Sequence, residues 1–205
     1  VNENVLVPRQ DTETLVECAL DILKEIKEPV ILDMCTGSGC ILLSLLAMKQ
    51  EALGTAVDIS VPALEVAKRN ATSLEVEKRV KFVESDLFSA SFFTETTGKD
   101  RLAYDILISN PPYIRSAEIA SLMEEVKGHD PYLALDGHED GLYFYREIVS
   151  RGKNFLKKNG WMLFEIGCDQ GKDVSFLLKK NGFINVQVIK DLAGLDRVVM
   201  GQRTE

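Results

Sequence analysis

Apolar residues recur at Leu15, Val16, Ala19, Ile22, Leu23 and Ile26, the three-and-four spacing of one helical face, behind a polar start at Asp11-Thr12-Glu13. This predicts an amphipathic helix over 12–27, capped at its start and ended by Pro29. The period then changes. Val30-Ile31-Leu32-Asp33 reads as a buried strand, Gly37-Ser38-Gly39 leads into an apolar helix over 40–48, and a second strand covers 53–58. Ser60 is placed to cap a helix that carries Pro62 in its first turn and runs to about Leu74. Further strands are predicted over 80–84 and 104–109, the latter stopped by Pro111-Pro112 because proline cannot sit in a central ladder.

From Arg115 to Gly141 the pattern is irregular and acidic, with Gly128, Pro131, Gly137 and Gly141 as punctuation, and an internal loop of that length is expected to be functional. Regular patterns return as a helix over 143–156, a strand over 161–166, a helix over 171–180, and strands over 183–190 and 197–201. Five or more strands interleaved with helices predict a doubly wound α/β sheet, in which ligands bind beyond the carboxyl ends of the strands.

Composition narrows the function classes. The 205 residues are 45% hydrophobic and 27% charged, as expected for one globular unit, and 24 basic against 32 acidic residues give a formal charge of −8. That balance argues against broad contact with nucleic-acid phosphates. No apolar run approaches the roughly 18 residues a bilayer span requires. The chain opens at Val1 without a basic-then-apolar leader, so the expectation is a cytoplasmic protein that has lost an N-terminal segment. Cys18, Cys35, Cys40 and Cys168 form no C-x-x-C pair and have only His129 and His138 to help them, so reduced thiols and no metal site are expected.

The residues that could carry chemistry all follow predicted strands. In Asp33-Met34-Cys35-Thr36-Gly37-Ser38-Gly39, two glycines one residue apart allow a tight turn and close approach to a ligand, but Leu42 stands where a dinucleotide fingerprint has its third glycine. Asp58, at the end of the next strand and followed by Ile59, can accept both hydroxyls of a ribose. Turn plus acid suggests a nucleoside-bearing cofactor, with Asp86 placed to meet an adenine edge and Leu87 to flank the ring. Asn110-Pro111-Pro112-Tyr113 is the most specific motif. It suits methylation of a planar, poorly nucleophilic nitrogen: the Asn110 amide oxygen and the Pro111 carbonyl accept its N–H groups, Pro112 stiffens the turn, and Tyr113 packs on the flat face.

Together these segments resemble the class I S-adenosylmethionine-dependent methyltransferases, specifically the release-factor glutamine N5-methyltransferases. Val7 through Glu13 is similar to that family's P-R-P-E-T-E segment, Asp33 through Gly39 to its D-L-G-T-G-S-G loop, and Ser109 through Ile114 to its target-amide motif. Segments 131–137, 140–142, 165–171 and 191–197 resemble it as well. Three positions depart: Gln10-Asp11 replaces Pro-Glu, Cys35 replaces the first loop glycine, and His138 stands where a second glycine is usual.

The resemblance implies a mostly parallel, seven-stranded, Rossmann-like sheet flanked by helices, preceded in the family by a helical substrate domain that this chain lacks. It divides the chain into a leading segment with its first helix (1–29) and a methyltransferase domain (30–205). It also implies S-adenosyl-L-methionine as cofactor, bound by Asp33, Cys35, Thr36, Gly37, Ser38, Gly39, Asp58, Ile59, Asp86, Leu87 and Asn110. The implied partner is a peptide chain release factor, whose Gly-Gly-Gln glutamine is methylated by a monomer through Asn110, Pro111, Pro112 and Tyr113. Two other readings compete. The same acceptors fit an exocyclic amine of DNA or RNA, and a non-catalytic cofactor-binding scaffold would need only the glycine turn. Region 115–141 is expected to act as a lid over the target side chain.

Overall fold

The computed structural model describes residues 1–95, 103–121 and 130–204. Seven strands form one sheet: β1 (Val30–Met34), β2 (Leu53–Asp58), β3 (Val80–Glu84), β4 (Tyr104–Ser109), β5 (Leu156–Glu165), β6 (Phe183–Lys190) and β7 (Asp196–Arg203). Their order across the sheet is β3-β2-β1-β4-β5-β7-β6, with β7 antiparallel to both its neighbours and the remaining pairs parallel. Strand order reverses between β1 and β4, so a crevice opens beyond their carboxyl ends.

The helices are α1 (Thr12–Leu23), α2 (Cys40–Met48), α3 (Val61–Ser73), the single turns α4 (Ser91–Thr94), α5 (Ser116–Ile119) and α6 (Tyr132–Leu135), then α7 (Tyr143–Gly152) and α8 (Gly171–Lys180). Adjacent strand residues face opposite sides of the sheet. Ile31, Ile106, Leu163 and Val198 pack with Leu15, Ala19 and Leu45 from α1 and α2 on one side. Leu32, Leu107, Phe164 and Val199 pack with Tyr145, Ile148 and Leu178 from α7 and α8 on the other. Covered on both faces, the central strands read as continuous apolar runs.

The expected strands and the helices over 40–48 and 171–180 are present, and the seven-stranded α/β fold is the one anticipated. Several details differ, and two kinds stand out: the start and end of the first helix, and the junction before β5. The first helix ends at Leu23, and the Lys24 N–H closes it onto Leu20. Asp11 does not cap that helix: its backbone is already helical, and its carboxylate pairs with Arg197 at 3.2 Å instead. The helix expected over 143–156 stops at Gly152, followed by a short 3-10 turn (Lys153–Phe155), and β5 begins at Leu156 rather than at Trp161. Leu156 is paired there with Tyr104, and a register shift separates that pair from Ile106–Trp161. Within the loop over 115–141, residues 122–129 lie outside the described residues, as do 96–100 of the polar connection before β4.

Candidate active site

The glycine turn after β1 is held by hydrogen bonds within it and to β2. Thr36 N–H donates to the Val57 carbonyl at 2.9 Å, its hydroxyl to Asp33 Oδ2 at 2.6 Å, and Gly39 N–H to the Thr36 carbonyl at 2.8 Å. Gly37 and Gly39 have φ of 55° and 79°, the left-handed region that glycine enters freely. Cys35 adopts it too, with φ 60°, so the family's glycine at this position answers a backbone requirement that this chain meets with a strained residue. Enclosure, with Asp58 and Asp33 nearby, pushes the Cys35 thiol well above its usual range.

Asp58 organises the same corner. Its Oδ2 accepts the Gly37 N–H at 2.8 Å and its Oδ1 the Ser60 N–H at 2.9 Å, while the Ser60 hydroxyl caps α3 by accepting the Ala63 N–H. One carboxylate thereby fixes the turn after β1 and the helix entrance after β2. A carboxylate offers about four acceptor sites, so Asp58 keeps capacity for a ligand hydroxyl. Burial raises the Asp58 pKa, and the N–H groups of Ser60 and Gly37 oppose the rise. Asp33 is wholly buried, its Oδ1 has no partner among the described residues, and burial pushes its pKa up to about 7.

A cavity of about 360 Å³ opens over this corner, within the size range of small-molecule sites. Cys35, Thr36, Gly37, Ser38, Asp58, Ile59, Asp86, Leu87, Asn110 and Pro112 line it. Of the residues singled out in the sequence, Asp33, Gly39, Pro111 and Tyr113 are not in its wall. Asp33 sits beneath the turn, and a Cβ on Gly39 would press on Leu43 and Ala67, so that glycine serves helix packing. The Tyr113 ring packs against the core on the α7 side of the sheet, and burial first, then the nearby Glu165 charge, pushes its hydroxyl up to about 12.

The Asn110–Tyr113 turn is held from behind. Gln170, buried at the start of α8, donates through Nε2 to the Tyr113 carbonyl at 3.0 Å and the Gly141 carbonyl at 3.2 Å, while its Oε1 accepts the Gly167 N–H at 3.0 Å. A Cβ on Gly137 or Gly141 would collide with the Tyr113 backbone, which explains glycine at both positions. Ile114 then exchanges hydrogen bonds with Leu135 and Gly137. The described flank of the expected lid before α7 is therefore tied to the motif, and the Ser116 N–H, donating to the His138 carbonyl at 3.0 Å, ties the other described flank to it.

The far wall comes from the start of the chain: Asn4, Val5, Leu6, Pro8 and Arg9 line the cavity. Asp130 fastens this segment, accepting the Val7 N–H at 3.2 Å and pairing with Arg9 at 2.7 Å, with its own side chain only 1% exposed. Reasoning from the sequence missed Gln170, Glu165, Arg9 and Asp130 as site-building residues. For Glu165 the available signal was an acid ending an apolar strand.

An acid for vicinal hydroxyls with apolar Ile59 and Leu87 beside it, next to the glycine turn, forms a set that fits a nucleoside. Comparison with known proteins agrees. The chain matches the methyltransferase small domain family over residues 11–138. It is 42% identical over 203 residues to the release factor glutamine methyltransferase of Clostridium acetobutylicum, covering 99% of this chain and 69% of that protein. The chain belongs to the release factor glutamine methyltransferase family. The relative from Fusobacterium nucleatum is 40% identical, again over 99% of this chain but only 55% of its own length. Among solved structures, the release factor-specific protein-(glutamine-N5) methyltransferase of Alicyclobacillus acidocaldarius aligns with a TM-score of 0.56 and 26% identity, over 97% of this chain and 95% of that one. An O-methyltransferase from Thermotoga maritima, 14% identical with a TM-score of 0.65 over 98% of this chain and 67% of its own, shares the fold. Among the described residues no helix is long and apolar enough to cross a membrane, and no cluster of side chains has metal-binding composition.

Proposed function

We propose that this chain transfers a methyl group from S-adenosyl-L-methionine to the side-chain amide nitrogen of the Gly-Gly-Gln glutamine of a peptide chain release factor. The observation that carries the reading is the convergence of Asn110 with the Gly37 turn and Asp58 on one cavity, in a chain of this family. Asp58 binds the ribose hydroxyls, Ile59 and Leu87 enclose the adenine with Asp86 at its edge, and the 36–39 turn faces the methionine portion. When bound, the cofactor supplies an electrophilic methyl on a sulfonium. The protein's task is alignment and exclusion of water.

A primary amide is planar, with two N–H donors on its nitrogen. Asn110 Oδ1 is an acceptor on the cavity wall, and it orients that nitrogen toward the methyl while the two prolines that follow keep the turn rigid. The Tyr113 backbone, clamped by Gln170, fixes the end of the turn. The amide proton leaves to water after transfer.

Single-turnover methylation of a release factor tests this. Asn110→Ala should lower the rate by about 100-fold while cofactor affinity changes by no more than a few fold. Mass spectrometry should place one methyl on the Gly-Gly-Gln glutamine. Label entering DNA or RNA and never that peptide would reject the glutamine reading.

A further inference from the structure

In the β4–β5 pairing Ser109 lies opposite Phe164, so the next residues, Asn110 and Glu165, leave the two strand ends side by side. Glu165 is 2% exposed, and its Oε2 has no hydrogen-bond partner among the described residues. An unsatisfied buried carboxylate oxygen is costly and needs a reason. Its backbone is fixed, since the Tyr145 hydroxyl donates to the Glu165 carbonyl at 2.9 Å. The Arg197 guanidinium is engaged elsewhere, by Asp191 at 3.1 Å and Asp11 at 3.2 Å. Burial raises the pKa of Glu165, and the Thr12 side chain, the Arg197 charge and the Asn110 amide oppose the rise.

A side-chain amide can present either its oxygen or its NH2 to the cavity, and only the oxygen can receive the N–H of an incoming amide. An ionised carboxylate only accepts, so a carboxylate beside Asn110 selects the rotamer whose nitrogen faces it. We propose that Glu165 is a positioning residue for methyl transfer: its carboxylate draws the Asn110 side-chain nitrogen inward and so turns the Asn110 oxygen toward the cavity. The inference rests on the catalytic reading of Asn110 given above. Glu165 touches neither cofactor nor acceptor and works through Asn110 alone.

Two variants test it. Glu165→Gln keeps an acceptor at this position, and Glu165→Met fills the space without one. With a release factor as substrate, the Met variant should lose kcat by about 10- to 100-fold, while KM for the release factor and Kd for S-adenosylmethionine stay within about threefold. The Gln variant should recover most of that loss. In nitrogen-detected NMR, the Asn110 side-chain NH2 pair, assigned by its disappearance in Asn110→Ala, should shift in the Met variant and return toward its original position in the Gln variant. A Met variant with unchanged kcat and unchanged Asn110 signals overturns the proposal, as does a Gln variant as slow as the Met variant. If the expected NMR shifts are seen but the unmodified protein leaves the release factor unmethylated, the substrate reading fails and the positioning of Asn110 stands.

Discussion

Gln170 and Tyr113 are joined by a 3.0 Å hydrogen bond from a buried side-chain amide to a backbone carbonyl, and the same Nε2 reaches Gly141 at 3.2 Å. One amide therefore sets the spacing between the Asn110–Tyr113 turn and the segment before α7. Gln170→Leu removes the donor and leaves two enclosed carbonyls unpaired. The expected cost is about 2 kcal/mol of stability, visible as a lower denaturation midpoint, together with a drop in kcat larger than any change in cofactor affinity. An unchanged midpoint would show that the clamp contributes nothing to the fold.

Cys35 and His138 hold φ of 60° and 68°, and both line the cavity. Left-handed backbone costs a residue with a Cβ on the order of 1 kcal/mol. Cys35→Gly should therefore hold or raise stability, by up to about 1 kcal/mol, whereas Cys35→Ala should lower it, since alanine keeps the strain and loses the thiol's packing. Thermal unfolding of the two variants side by side decides this, and alanine above glycine would contradict it.

Asp33 has a folded-state pKa of about 7 against an ordinary carboxylate value near 4, because burial disfavours its charge. A raised pKa means that its contribution is greatest below the ordinary value and is lost as pH rises through 7. A neutral amide in its place has no charge to bury. Relative to the unmodified protein, Asp33→Asn should become progressively more stable between about pH 4 and pH 7, by on the order of 1–3 kcal/mol at the upper end. Parallel stability curves across that range would refute the assignment.

Asp58 has a double duty, holding Gly37 and Ser60 before any ligand arrives. Calorimetry with S-adenosylmethionine should show Asp58→Ala weakening binding by about 1.5–3 kcal/mol, the value of charge-assisted hydrogen bonds to two hydroxyls. A variant that binds as tightly as the original would remove Asp58 from the ribose site.

The central strands were legible because each carries a short apolar run bounded by glycine, proline or an acid, and buried parallel strands announce themselves in that way. Asp58 and Asn110 were legible because they stand at strand ends, where this topology gathers ligands. Element ends were harder to read: whether residues after Gly152 continue a helix or open a strand depends on Tyr104 being there to pair with Leu156. The packing of the Tyr113 ring could not be read from the turn alone, since it depends on the α7 side of the sheet. Gln170 and Asp130 were invisible for a related reason. Their partners lie 57 and 121 residues away in the chain, and no local pattern encodes such a contact.

The bond between Arg9 and Asp130 makes the first residues of the chain part of the vessel rather than a trailing end. With Asn4 and Val5 already in the cavity wall, any polypeptide joined ahead of Val1 is tethered close to that cavity. A fused domain, a purification tag or a longer natural leader would begin three residues from that wall, so its bulk and charge bear on what can reach the cavity.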